Sequence, residues 1–171
     1  MRTFIPMMFL FMVCAAPFAK AADAVSPTAG KRLLRFLLPL PHEITIRKTI
    51  AIPAEDIGIL VRNGASDIER NAAEELREFI RTKTGAEPNG KGFQIRIGIL
   101  DPSLDSKTVR RLKGLSNSAQ AYVIRPRGDS GLILSGLDGR GIYHASRTLR
   151  QLLEPGISGK QISIPLAEVT D

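Results

Sequence analysis

The spacing of hydrophobic residues changes period along the chain, and each change marks an element. Ile44, Ile46, Ile50 and Ile52 recur at alternate positions, with Lys48 interrupting the series. Ile57, Ile59 and Val61 resume the alternation after a turn at 53–56, so two half-buried strands are predicted. The period then lengthens to three and four. Ile68, Ala72, Ala73, Leu76, Phe79 and Ile80 fall on one face of a helix. Ser66 and Glu69 have the spacing of a capping box at its start. Arg81 and Lys83 suit the negative end of its dipole, and Gly85 suits the position just beyond. On its polar side Glu74 with Arg77, and Glu78 with Arg81, are i,i+3 partners.

Phe93, Ile95, Ile97 and Ile99 alternate with Gln94, Arg96 and Gly98, the cleanest strand pattern in the sequence. A short helix is predicted over 106–113. The stretches 121–125 and 132–135 flank a turn at 126–131 and read as a hairpin. A glycine-rich turn opening at Ser135 leads into a second long helix, whose apolar face is Ile142, Ala145, Leu149, Leu152 and Leu153. A final strand is expected over 161–166. The order β-β-α-β-(α)-β-β-α-β predicts an α+β or mixed α/β domain: one mixed sheet of about six strands with two long helices on one face. It spans residues 44–171, after an extension over 22–43. Residues 22–30 are small and polar and are expected to be a mobile tail. Residues 31–41 alternate basic residues and leucines until Pro39 and Pro41 stop any helix, so they lie on the domain or on a partner.

The start of the chain has a different logic. Arg2, an apolar run over 4–18 and the small residues Ala19 and Ala21 have the layout of a secretory signal peptide over 1–21, short for a membrane span. Cleavage after Ala21 would give a secreted or periplasmic protein with no membrane attachment. It would remove Cys14, the only cysteine, and lower the net charge of +7 by two. The domain would then rely on its core rather than on disulfides. The absence of Trp and the presence of only two Tyr disfavour a sugar platform built on stacked aromatics. Basic residues are scattered rather than clustered with aromatics, which disfavours nucleic acid as a partner.

Candidate chemistry is sparse. Gly136, Gly139 and Gly141 at a helix start resemble a phosphate cradle, but the spacing fits neither a P-loop nor a dinucleotide fingerprint. The turn reads more simply as a swing from strand to helix. Glu74 and Glu75 point in different directions from a regular helix. His42 has no evident partner in sequence, and His144 reads as a surface or interface residue. Two histidines and one cysteine leave no zinc motif. No catalytic residue, cofactor site or metal site is identified.

Several motifs together resemble a known family. The run NAAEELREF from Asn71 to Phe79, IRIG from Ile95 to Gly98 and YVI from Tyr122 to Ile124 are similar to the small domain that precedes the catalytic barrel in glycoside hydrolase family 20, the β-N-acetylhexosaminidases. LILSG from Leu132 to Gly136, RGIY from Arg140 to Tyr143 and TLRQLL from Thr148 to Leu153 resemble that domain's closing strand and helix. Ile164, Pro165 and the stretch from Val169 to Asp171 resemble the passage into the barrel. A related domain precedes the barrel of α-glucuronidases. The resemblance implies a zincin-like fold without a metal centre, with its helices lying between sheet and barrel. It places the catalytic Asp-Glu pair in the barrel, so no catalytic role is carried onto this chain. The implied function is that of a non-catalytic domain of an exported glycan-degrading hydrolase, packing on and stabilising its barrel. The alternative is a stand-alone periplasmic module that binds a glycan or another partner. With a barrel as partner, an apolar strip involving Tyr143, His144, Leu152 and Leu153 is expected to be partly exposed on the second long helix.

Overall fold

The computed structural model describes residues 22–24 and 33–171. The leader expected over 1–21 lies outside the described residues, as does most of the tail expected over 22–30. The described elements run β1 (Ala22–Ala24), β2 (Glu43–Pro53), β3 (Ile57–Val61), α1 (Asp67–Thr84), β4 (Phe93–Ile99), α2 (Ser106–Lys113), β5 (Tyr122–Pro126), β6 (Gly131–Gly136), α3 (Gly139–Leu153), β7 (Ile157–Ser158) and β8 (Gln161–Thr170).

They form one mixed sheet in the order β1-β2-β8-β5-β6-β4-β3, with β7 paired to β8 off that path. β3 with β4, and β4 with β6, run parallel, while the remaining pairs are antiparallel. The first parallel pair follows from α1, which carries the chain from β3 back over the sheet to β4. The sheet exceeds the expected six strands by two short ones. Part of the expected polar tail is β1, whose backbone pairs Ala22 with Ile50 and Ala24 with Lys48. Such pairing uses main-chain groups only and leaves no periodic trace in side chains. Where Lys48 breaks the isoleucine alternation, the register of β2 against β8 shifts between Ile46 and Thr49. Ile44 and Ile46, before the irregularity, pack against the core, and Ile50 and Ile52, after it, are buried in it.

Among the described residues three helices cover the sheet. α1 and α3 lie together on one face, over a core that includes Leu76, Ile80, Phe93, Ile95, Leu132, Leu134, Leu149, Ile162 and Ile164. α2 serves the opposite face. Val123 alternates with the core residues Tyr122 and Ile124, and it packs instead with Leu112 of α2 and with Ala121. The outer edge of β3 is blocked. Gly90 donates its N–H to the Ile57 carbonyl at 3.0 Å, and Arg77 Nη2 donates to the Ile59 carbonyl at 2.7 Å. Those groups would otherwise template pairing with another chain.

The capping box is present in full. Ser66 Oγ accepts from the Glu69 N–H, and the Glu69 carboxylate accepts the Ser66 N–H at 2.7 Å. Gly85 ends α1 in the left-handed conformation, φ 70°. No helix among the described residues is long and apolar enough to cross a membrane.

Candidate functional site

The apolar stripes of α1 and α3 turn toward the sheet, which leaves their polar sides to form an open groove on the outside of the helix pair. Small residues set how closely the helices approach. Ser146 Oγ donates to the Ala72 carbonyl at 3.5 Å. Gly139 sits against Ile68 so closely that a Cβ would fall 2.6 Å from its Cδ1. The largest part of the groove, about 600 Å³, is lined by Asn71, Glu74, Glu75, Glu78, Phe79 and Arg150, among others. Toward the start of α3 it meets Ile68, Arg140 and Tyr143, and toward the end it meets Arg147, Gln151 and Glu154.

Charge and aromatic groups alternate along this groove. The Arg150 guanidinium lies 5.1 Å above the Phe79 ring, with Nη1 3.7 Å from Glu75 Oε2. Arg147 Nη1 donates to the Tyr143 hydroxyl at 2.7 Å, and Tyr143 meets the His144 ring edge-on at 5.5 Å. Lys83 Nζ bonds Glu154 at 2.6 Å and ties the C-terminal ends of the two helices together. The arrangement supplies a flat, partly apolar surface studded with reorientable charges. It supplies no nucleophile with a base beside it, and among the described residues no group of His, Cys, Asp and Glu is placed to hold a metal.

Of the four residues expected on the exposed strip, the structure places two outside. Tyr143 is 40% exposed and His144 is half-buried. Leu152 and Leu153 correct the expectation: both are fully buried in the main core. They sit where α3 reaches its last turn over the sheet. There α3 packs on β8, and Ile157, paired with Ile162, packs against the same core.

The glycine turn is closed rather than open to a phosphate. Asp138 Oδ1 accepts the N–H groups of Arg140 at 2.8 Å and Gly141 at 3.3 Å, filling the helix N-terminus with its own carboxylate. A Cβ on Gly141 would fall 2.4 Å from the Ala121 carbonyl, so the glycine is needed for backbone approach.

Glu69 is the most perturbed acid. It is fully buried and accepts five bonds: from Arg62 Nε at 2.9 Å and Nη2 at 3.3 Å, from the N–H of Ile99 at 2.9 Å, and from the N–H and hydroxyl of Ser66. Burial pushes its carboxyl upward, but the Arg62 guanidinium and then the Ile99 and Ser66 donors outweigh that and hold it at about 2. The same pairing raises Arg62. This acid fastens the start of α1 to the ends of β3 and β4. With every acceptor position occupied, it is a structural anchor. The Tyr122 hydroxyl is pushed up to about 12 by burial, against its 2.8 Å bond with Thr148, and stays a neutral phenol.

Two contacts have no counterpart in the sequence reading. His42 donates its N–H to Asp171 Oδ1 at 2.9 Å, and its Nδ1 lies 2.6 Å from the same oxygen. The Gln151 side chain accepts the Leu38 N–H at 3.2 Å and donates to the Leu38 carbonyl at 3.1 Å. Both join residues more than a hundred positions apart. No local spacing rule reaches that far.

The sequence matches the family model of glycosyl hydrolase family 20, domain 2, over residues 35–171. Among solved structures, the chain is similar to the family 20 β-N-acetylhexosaminidase of Streptomyces coelicolor A3(2). That match has 21% identity and a TM-score of 0.56, over 81% of this chain and 26% of that one. It is similar to the family 20 exo-β-N-acetylglucosaminidase of Vibrio harveyi at 18% identity and TM-score 0.55, over 92% of this chain and 21% of that one. The N-acetyl-β-hexosaminidase of Streptomyces plicatus matches at 19% identity and TM-score 0.55, over 80% of this chain and 26% of that one. These likenesses establish a shared fold. The chain spans only 21% to 26% of the length of the three proteins.

Proposed function

Because the chain belongs to glycosyl hydrolase family 20, as its domain 2, we propose that it is the non-catalytic domain of an exported, glycan-degrading, β-N-acetylhexosaminidase-like hydrolase. Its work is to pack on and stabilise a catalytic barrel that follows Asp171. The observation that carries this reading is the groove on the outside of the α1–α3 pair. It is broad, open and partly apolar, and it holds no catalytic constellation. A barrel seated there would cover Phe79, Tyr143 and Arg150 and leave the α2 face of the sheet outside. Export rests on Arg2, the apolar run over 4–18 and the small residues before Ala22. The zincin-like description, without a metal centre, belongs to the same reading.

A hexosaminidase assay with a chromogenic N-acetyl-β-glucosaminide tests it. The 171-residue chain should show no turnover, while the protein extended past Asp171 should turn the substrate over. Activity that tracks the 171-residue chain through purification would overturn the assignment. The gene sequence beyond Asp171 is the companion observation, since an unrelated reading frame there would remove the barrel.

The end of the groove around Tyr143 favours a second reading, a stand-alone glycan-binding module. An exposed aromatic there shares a hollow of about 310 Å³ with Asn71, Glu75 and Arg140, an aromatic wall with convergent polar groups of the kind that small-ligand sites use. Saturable, salt-resistant sugar binding that Tyr143→Ala abolishes would favour the module. Binding that vanishes at moderate salt would indicate charge attraction alone.

A further inference from the structure

Residues 36–40 carry three large apolar side chains into solvent. Phe36 is 52% exposed, Leu38 84% and Leu40 60%. The segment is nonetheless fixed in place. Leu37, between the first two, is buried in the main core, Leu34 packs against that core, and Pro41 is buried after Leu40. Gln151 grips the main chain of Leu38 through both its amide atoms. An exposed apolar run is costly to keep in water, and a contiguous one marks an interaction surface.

Three features on the molecule say what covers it. Gln151 also lines the groove between α1 and α3, together with Phe79, Arg147 and Arg150. The ridge is therefore continuous with the surface assigned to the barrel. Asp171 is bonded to His42, two residues past Leu40, so polypeptide continuing from Asp171 emerges beside the ridge. That tethering gives such a segment a high effective concentration there. Finally, three side chains cover far less than the roughly 800 Å² per partner of a stable interface, so the ridge serves as an extension of a larger contact.

We propose that residues 36–40 are a docking ridge for the catalytic barrel, held out by Gln151 and extending the helix-pair interface around the end of α3. The inference rests on the function proposed above and adds a second contact region to it. It also answers the alternative left open by the sequence. Leu37 and Leu34 lie on the domain, while Phe36, Leu38 and Leu40 are kept for the partner.

Hydroxyl-radical footprinting of the 171-residue chain and of the protein extended past Asp171 through its barrel tests both contacts separately. Oxidation of Phe36, Leu38 and Leu40 should fall clearly in the extended protein, as for side chains moved into an interface core. Leu60, exposed on the other face of the sheet, should stay unchanged. Tyr143 reports the helix-pair contact. Protection of Tyr143 without Leu38 overturns the ridge and leaves the proposed function standing, whereas protection of neither overturns both. Protection of Leu38 without Tyr143 would overturn the helix-pair contact and, with it, the ridge as its extension. Protection of Leu38 in the 171-residue chain that grows with concentration would make a second copy the occupant and overturn the proposal. The Leu38→Ser, Leu40→Ser double variant is the companion. It should leave the Tm of the 171-residue chain unchanged and lower that of the extended protein. An equal fall in both would mean that these leucines serve the domain's own fold, and would overturn the ridge.

Discussion

Two glutamates on the same helix, α1, each pair with an arginine from outside it and have opposite fates. Glu69 is fully buried, meets Arg62 at 2.9 Å and accepts three further bonds from Ser66 and Ile99. Glu75, less than two turns along, lies 3.7 Å from Arg150 with both side chains well exposed. Glu69 has exchanged water for a complete set of protein donors, so losing Arg62 would leave a buried carboxylate short of its counter-charge, while Arg62 itself keeps about half of its side chain in water. The second keeps its water and can change partners without cost to the fold. The contrast assigns roles: the Glu69 end locks the helix to the sheet, and the Glu75 surface stays available to another body. Charge on a helix therefore says little about function until its solvation is known.

That contrast breaks most visibly at Glu69. Glu69→Ala leaves the backbone N–H groups of Ser66 and Ile99 without their acceptor and should lower unfolding stability in urea titrations by about 1–3 kcal/mol for each; a loss no larger than that of a surface substitution would reclassify Glu69 as solvated. Leu152→Ala tests the inner side of the helix whose outer side lines the groove, and should cost about 2–5 kcal/mol. Tyr143→Ala on the outer side should cost clearly less in the 171-residue chain.

The difference is also visible in acid. The Glu69 carboxyl is held below its ordinary value, so its contribution is complete above pH 4.5 and is lost as pH falls toward and through about 2. The stability gap between wild type and Glu69→Gln should hold steady down to pH 4.5 and close over that window. A gap that closes near neutral pH would place the linkage elsewhere. The smallest effect belongs to the open pair. A double-mutant cycle on Glu75 and Arg150 should return a coupling of about 0.2–1 kcal/mol that shrinks with added salt. A larger, salt-insensitive value would erase the distinction between the two ends of α1.

Much of this was legible locally. The i,i+3 and i,i+4 stripes place α1 and α3, Ser66 and Glu69 declare the cap, and alternation places β4, because each depends on residues within one or two turns of each other. The family motifs lie in those same elements. Burial was legible only as a periodicity. Leu152 and Leu153 belong to the apolar face of α3, but whether the last turn of that face meets sheet or solvent depends on where β7 and β8 return. β8 holds its place there through its pairing with the distant β2, so the burial of these leucines is set by the sheet.

The sequence by itself determined the helices, the central strands and the mixed α/β class, since periodicity is a property of the chain. Tertiary structure alone decided the rest. It recruited Ala22–Ala24 as a strand through main-chain pairing that no side chain encodes. It made an anchor of Glu69 by bringing Ile99 and Arg62 to it. It brought Gln151 to Leu38 and Asp171 to His42, and so fixed the run of leucines before His42 against the domain. The physical reason is the same each time. A hydrogen bond or a desolvated surface is defined by which groups meet in space, and groups on different elements meet only once the sheet has formed.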